Sequence, residues 1–266
     1  MSDPRQLHPQ ARIQGMALGF MAGYADTLGF LALFGLFTAH VTGNFILIGA
    51  ALADPARSSI LLKFLAFPAF IAGVAAARIL VVSVERRHRL ALRPALLLEL
   101  LLLGFMGFGI AATPVGQEAG ALAMASGLLG AAAMGAHSAT SRLLLGHLAP
   151  TSMMTGNVTQ AVIDAADLLR GADDSGLAAR FAKVLWPLAS FAMCCIAAAF
   201  GYHWFGFAAL ALPVLILLGL LLSEKPGQAA AAPATAAAPA SAFLNFRAFP
   251  PRQRPLGRAA LSNHIR

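Results

Sequence analysis

The 266-residue sequence predicts an all-α, polytopic membrane protein, and three observations carry that expectation. The chain is 59% hydrophobic and 11% charged with a mean hydropathy of +0.74, whereas a soluble domain is roughly a quarter charged. Apolar runs of about 20 residues, the length needed to cross a hydrocarbon layer of roughly 30 Å, recur throughout. A segment centred on Thr-Gly-Asn occurs twice, once in each half.

Six runs are long enough to span: Ile13 to Phe37, Ile60 to Val84, Pro94 to Thr113, Ala119 to Leu145, Arg180 to Phe200 and Phe205 to Leu222. The first is too long for a signal-peptide core and lacks an A-x-A-like cleavage site, so it is expected to remain as a transmembrane helix. Two shorter apolar segments, Phe45 to Ala53 and Val158 to Leu169, follow the two Thr-Gly-Asn motifs and suit half-helices that enter and leave by one face.

Lys and Arg are retained on the cytoplasmic side of a membrane, which orients the chain. With both short segments re-entrant and the N-terminus inside, Arg86, Arg87, Arg89, Arg93, Arg142, Arg170, Arg180 and Lys183 are all cytoplasmic. Only Arg57 and Lys63 then face outwards. The expected organisation is a cytoplasmic tail (1–12), a membrane domain (13–223) and an Ala/Pro-rich basic tail (224–266), with both termini inside a bacterial-type inner membrane.

The net charge of +8 does not point to nucleic acid. Six cations (Lys225, Arg247, Arg252, Arg254, Arg258, Arg266) lie in the C-terminal tail, whose low-complexity first part, residues 226–242, cannot bury a core. The expected partners of that tail and of the basic loop are anionic lipid headgroups. The two cysteines, Cys194 and Cys195, are neighbours in an apolar run with no metal-ligand spacing, and read as reduced packing residues.

The two halves correspond. Thr38-Ala39-His40-Val41-Thr42-Gly43-Asn44 aligns with Thr151-Ser152-Met153-Met154-Thr155-Gly156-Asn157, and each Asn is followed at the same interval by an acid, Asp54 or Asp167. Gly15, Gly19 and Gly23 step along the first run as Gly127, Ala131 and Gly135 step along the fourth, giving small-residue faces on which backbones can approach closely. The unit of three spans and one half-helix is used twice, about 13–113 and 119–222. Three is odd, so the second copy enters from the opposite side: a 3+3 inverted repeat, whose broken helices are expected to bring Asn44 and Asn157 together near the midplane.

The stretches Gly23-Tyr24-Ala25-Asp26-Thr27, Phe37 to Asn44 and Met154 to Gln160 resemble the YoaK family of bacterial inner-membrane proteins, a domain of unknown function. The resemblance covers residues 10–223. It implies a membrane fold and an inner-membrane location but no particular activity. His137-Ser138 stands where that family tends to carry Gln-Asn, and the basic tail looks like an addition.

Asp26 lies inside the first run, where an ionised carboxylate facing lipid would cost at least a few kcal/mol, so it must face protein or water. It reads either as a proton- or cation-coupling carboxylate or as a buried acid bonded to a neighbouring helix. Thr42, Gly43 and Asn44, with Thr155, Gly156 and Asn157, would offer hydroxyls, amides and free N–H groups at half-helix N-termini, either to line a solute path or only to cap. His40, His137, Ser138, Thr159 and Gln160 could complete such a lining, or serve as interhelical hydrogen-bonding residues. Arg78 and Glu99 lie at matching depths on consecutive spans and read as a structural ion pair, or Arg78 as a snorkelling side chain, rather than as substrate groups. Asp164, Asp167, Asp173 and Asp174, facing Arg170 and Arg180, read as a solvated rim.

No metal site, cofactor or enzyme motif is found: there is no H-E-x-x-H, G-x-S-x-G or phosphate-binding glycine loop. The sequence therefore points to a permease or channel for a small solute or ion, with oligomeric state open. A membrane-embedded enzyme on a lipid-like substrate, using Asp164 and Asp167, and a non-transporting scaffold are the alternatives.

Overall fold

The computed structural model describes residues 9–53, 60–87, 90–111, 120–151, 154–171 and 176–224. Asp54, Arg57, Arg89, Asp173, Asp174, the first eight residues and the tail from Lys225 lie outside the described residues, as do the expectations placed on them. The described regular structure is helical: α1 (Pro9–Ala32), α2 (Gly43–Ala53), α3 (Ile60–Glu85), α4 (Leu92–Ala111), α5 (Ala121–Leu144), α6 (Met154–Leu169), α7 (Leu177–Phe205) and α8 (Ala211–Ser223), with a 3-10 turn at Gly206–Leu210.

Every apolar run seeds a helix, and the two short ones do form short helices of 11 and 16 residues. At 1.5 Å per residue these reach about 16 Å and 24 Å, less than a hydrocarbon layer. The first run, however, does not stay helical to Phe37. It ends at Ala32, because Phe34 (φ 57°) and Gly35 (φ 72°) turn left-handed and the Gly35 N–H returns to Phe30 O. Phe34 is a bulky residue in a conformation that glycine normally takes, and its carbonyl is held by Lys63 Nζ at 2.7 Å. Lys63 is thus no free external charge: it is 2% exposed.

Small residues decide which helices pack. Gly127 lies against Leu62, Gly73 against the Ala132 backbone and Gly135 against the Phe70 backbone, so α3 and α5 run side by side in the same direction. Likewise Gly15 lies on Pro187, Gly23 on Phe191 and Cys194, and Gly201 on Tyr24, so α1 and α7 run together. A Cβ on Gly19 would stand 3.1 Å from Pro187 O, which is why the stripe must be small. α4 runs opposite to α5, with Met106 on Gly130 and Glu99 on His137. After Gly206 (φ 55°) α8 turns back along α1, and Glu224 comes within 3.3 Å of Gln14. α2 packs on α3, its Phe45 ring 5.1 Å from that of Phe67, and α6 packs on α7.

The shared core is built from Leu18, Met21, Leu28, Leu36, Leu96, Leu103, Met106 and Met134. The outward faces are also apolar, with Ile46, Ile71, Ile79, Phe105, Met193 and Leu215 more than half exposed. Such a surface suits lipid. α3, α5 and the continuous segment Leu177–Ser223 are long and apolar enough to cross a membrane, and the molecule is compatible with insertion.

Gly73 and Gly49 make a controlled test of this packing. Gly73→Ala drives a methyl into the Ala132 backbone, which cannot retreat, and should destabilise the protein by about 1–3 kcal/mol. Gly49→Ala, in open space on α2, should be neutral or stabilising by up to ~1 kcal/mol. Reversible unfolding in detergent reads the difference, and equal stabilities for the two variants would contradict the close α3–α5 contact.

Candidate functional site

A chain that leaves a helix inside an apolar layer exposes backbone groups that no water can satisfy. The two breaks, described over residues 33–42 and 145–151, meet this demand with a small set of polar side chains. At the first, Asp26 on α1 reaches across to the returning strand of chain. Its Oδ1 accepts from the Thr38 N–H (2.6 Å), the Ala39 N–H (2.7 Å) and the Thr38 hydroxyl (3.0 Å). Its Oδ2 lies 2.7 Å from His40 Nδ1. Asp26 is 5% exposed and His40 about a third, the latter with its ring edge on Phe191. Asn44 clamps the same segment, its Nδ2 donating to Phe37 O at 2.7 Å and its Oδ1 accepting from the Phe37 N–H at 3.0 Å.

The second break repeats this plan with a change of chemistry. Asn157 Nδ2 donates to Pro150 O, also at 2.7 Å and also seven residues upstream. Thr151, the counterpart of Thr38, is held by an imidazole instead of a carboxylate: His137 Nε2 on α5 lies 2.8 Å from Thr151 Oγ1. Behind it, His137 Nδ1 lies 2.8 Å from Glu99 Oε1 on α4, and Thr151 Oγ1 is 3.5 Å from Ser141 Oγ. In each half a carboxylate and an imidazole are paired beside the break. The carboxylate touches the threonine in the first, the imidazole in the second.

Several expectations need correction. Glu99 does not pair with Arg78: Glu99 is fully buried on the α5-facing side of α4, while Arg78 is exposed on α3, so the partner is His137. Asn44 and Asn157 do not meet, since α2 packs on α3 and α6 on α7 rather than on each other. Each break instead touches the other half's small-residue stripe, Leu36 on Gly127 and Leu148 on Gly15. Nor does the α2 N-terminus offer free N–H groups, because those of Gly43, Asn44 and Phe45 bond His40, Val41 and Thr42 carbonyls. Thr42, Thr155, Gly156 and Thr159 are exposed on the outer faces, and Gly43 is half-buried against Phe37.

Asp164 is no solvated rim residue. It is fully buried, its Oδ1 accepting from Gln160 Nε2 (2.8 Å) and Arg180 Nε (3.1 Å), so Gln160 belongs to this α6–α7 cluster and not to the breaks. Ser138 is half-buried on α5 beside His137. Sequence reasoning missed Lys63, Ser141 and the role of Thr38 and Thr151. The last two were legible in principle, since they head the repeated heptapeptide, whose Thr-Gly-Asn end is the more conspicuous signal.

Asp26 supports a direct test. Asn keeps an oxygen for the two N–H groups, so Asp26→Asn should cost about 1–2 kcal/mol. Asp26→Leu leaves them buried without an acceptor and should cost about 3–5 kcal/mol. Equal losses in detergent unfolding would mean that Asp26 does not hold the break.

No curated protein and no solved structure matches the chain. A family model described as "Protein of unknown function (DUF1275)" matches residues 14–223, which covers α2 to α8, most of α1 and both breaks. The YoaK family named by the motif resemblance falls within it, and the chain belongs to the DUF1275 family.

Proposed function

We propose that the protein is a permease or channel for a small solute or ion in a bacterial inner membrane, built as a 3+3 inverted repeat of six spans with both termini cytoplasmic. The observation that carries this reading is the like treatment of two helix breaks in two halves of the chain, Asn44 on Phe37 and Asn157 on Pro150. A purely structural bundle of this size has no need of two breaks, each of which brings polar groups indoors. Paired breaks are how inverted-repeat transporters expose helix ends and polar side chains to a solute.

The packing supports the same reading. Exchanging the halves turns the α3–α5 pair into the α7–α1 pair, both with helices running together, and turns α4 against α5 into α8 against α1. Arg12, Arg86, Arg87, Arg93, Arg142, Arg180 and Lys183 then fall at one end of the spans, the end that the positive-inside rule makes cytoplasmic. The polar residues gathered beside the breaks are Asp26, His40, Glu99, His137 and Thr151; only His40 reaches the surface, so on this reading a permeating species meets the others when the breaks open. The enzyme alternative gains no support from Asp164 and Asp167, since the first is tied to Arg180 and Gln160.

Two measurements test the proposal. On intact cells, Arg87→Cys should resist a membrane-impermeant thiol reagent while Ser58→Cys reacts; ready labelling at position 87 contradicts six spans and the inverted repeat. In proteoliposomes, a panel of labelled amino acids, monocarboxylates, nucleosides and monovalent cations should include at least one that enters well above the rate of protein-free vesicles. Passage of none of them, together with external labelling at position 87, would end the permease reading.

A further inference from the structure

The Glu99–His137 pair sits deeper than Asp26–His40 and is arranged differently. His137 is 2% exposed and Glu99 fully buried, whereas His40 reaches the surface. All of the bonds of Asp26 are taken, but Glu99 Oε2 has no partner although it is inaccessible to solvent. A buried, orphaned carboxylate oxygen is costly, and native structures seldom keep one without a purpose.

The hydroxyls beyond His137 matter equally. In one arrangement the imidazole is neutral: Nδ1–H donates to Glu99 Oε1, and Nε2 accepts the proton of the Thr151 hydroxyl. In the other it is charged: Nε2–H donates to Thr151 Oγ1, and Thr151 turns its own proton to Ser141 Oγ, 3.5 Å away. The two differ by one proton on Nε2 and a rotation of one hydroxyl. Neither strands a further buried group, and the positive charge of the second offsets the orphaned Glu99 oxygen.

We propose that Glu99, His137, Thr151 and Ser141 form a proton-binding site in which protonation of His137 reverses the hydrogen bonds that tie Thr151 to α5. In the neutral form Thr151 donates to His137 and can accept from Ser141; in the charged form it accepts from His137 and donates to Ser141. Proton uptake thus reverses the direction of the hydrogen bonds that tie Thr151 to α5. Within the permease reading the proton is then the coupling ion, yet the protonation itself can be measured with no solute present.

The charged groups on the surrounding elements do not compete for this role. Arg78 and Glu85 on α3, Arg93 on α4 and Arg142 on α5 are exposed, as is His147 in the break itself; Asp26 on α1 is turned to His40, Asp164 on α6 to Arg180 on α7, and α8 carries no charge between Ala211 and Ser223.

The test is nitrogen NMR of histidine-labelled full-length protein in lipid nanodiscs, with the His137 signals assigned by their loss in His137→Gln. His137 should pass from neutral to charged once as the pH is lowered. Glu99→Gln should abolish that transition, leaving His137 neutral. Thr151→Val removes the acceptor that the charged Nε2–H requires, whereas the neutral Nε2 loses only a donor, and should displace the transition to lower pH while His40 is unmoved. Should Glu99→Gln fail to fold, Thr151→Val still decides. A His137 held in one form throughout, or a transition that Thr151→Val leaves in place, overturns the site. Solute flux without a His137 transition would remove the proton site and keep the permease; a transition without flux would do the reverse.

Discussion

The constraint on which the structure depends is that peptide groups released from a helix must find partners where water is scarce. A lost backbone bond in such surroundings costs about 1–3 kcal/mol or more, and each break releases several. Asp26 answers most of this at the first break, since one carboxylate oxygen can take two N–H groups and a hydroxyl at once. A neutral side chain there would have fewer lone pairs and less pull. The acid in α1 is therefore explained by the backbone of residues 38 and 39 before any role in conduction is considered.

Close packing is the second requirement. Parallel neighbours such as α1 and α7 gain nothing from their dipoles, and in lipid they gain little from excluding apolar surface, so contact must come from interlocking shapes. Gly15, Gly19 and Gly23 supply that on α1, and Gly73 with Gly135 on α3 and α5. The same stripes receive the breaks, Leu36 on Gly127 and Leu148 on Gly15, so that the packing surface of one half also seats the irregular chain of the other.

Much of this could be read from the sequence, for reasons that differ by element. The apolar runs located the helices because their period and length are local properties; α3 and α6 end within a residue of where the runs stop. The repeat was legible from Thr-Gly-Asn because both copies solve one problem of chain reversal. The end of α1 was not, since Phe34 in the left-handed region carries no sequence signal beyond Gly35 beside it. Partners were harder still. Glu99 and Arg78 match in depth along their helices, but depth says nothing of azimuth, and Glu99 faces α5 while Arg78 faces outwards. Lys63, counted from sequence as an external charge, turns inward because the Phe34 carbonyl there has no other donor among the described residues.

The halves are alike in plan but not in the groups that hold them. The first break is held by three bonds to Asp26 Oδ1, two to Asn44 and one from Lys63, all from side chains that are at most 5% exposed. The second has proline where the first has Phe37, and proline has no N–H to give Asn157 Oδ1. Among the described residues its tethers are the Asn157–Pro150 bond and the Thr151–His137 bond, with Ser141 at longer range. The two breaks thus differ in the group that holds the repeated threonine: Thr38 is held by a carboxylate, which only accepts, whereas Thr151 is held by an imidazole, whose Nε2 can donate or accept.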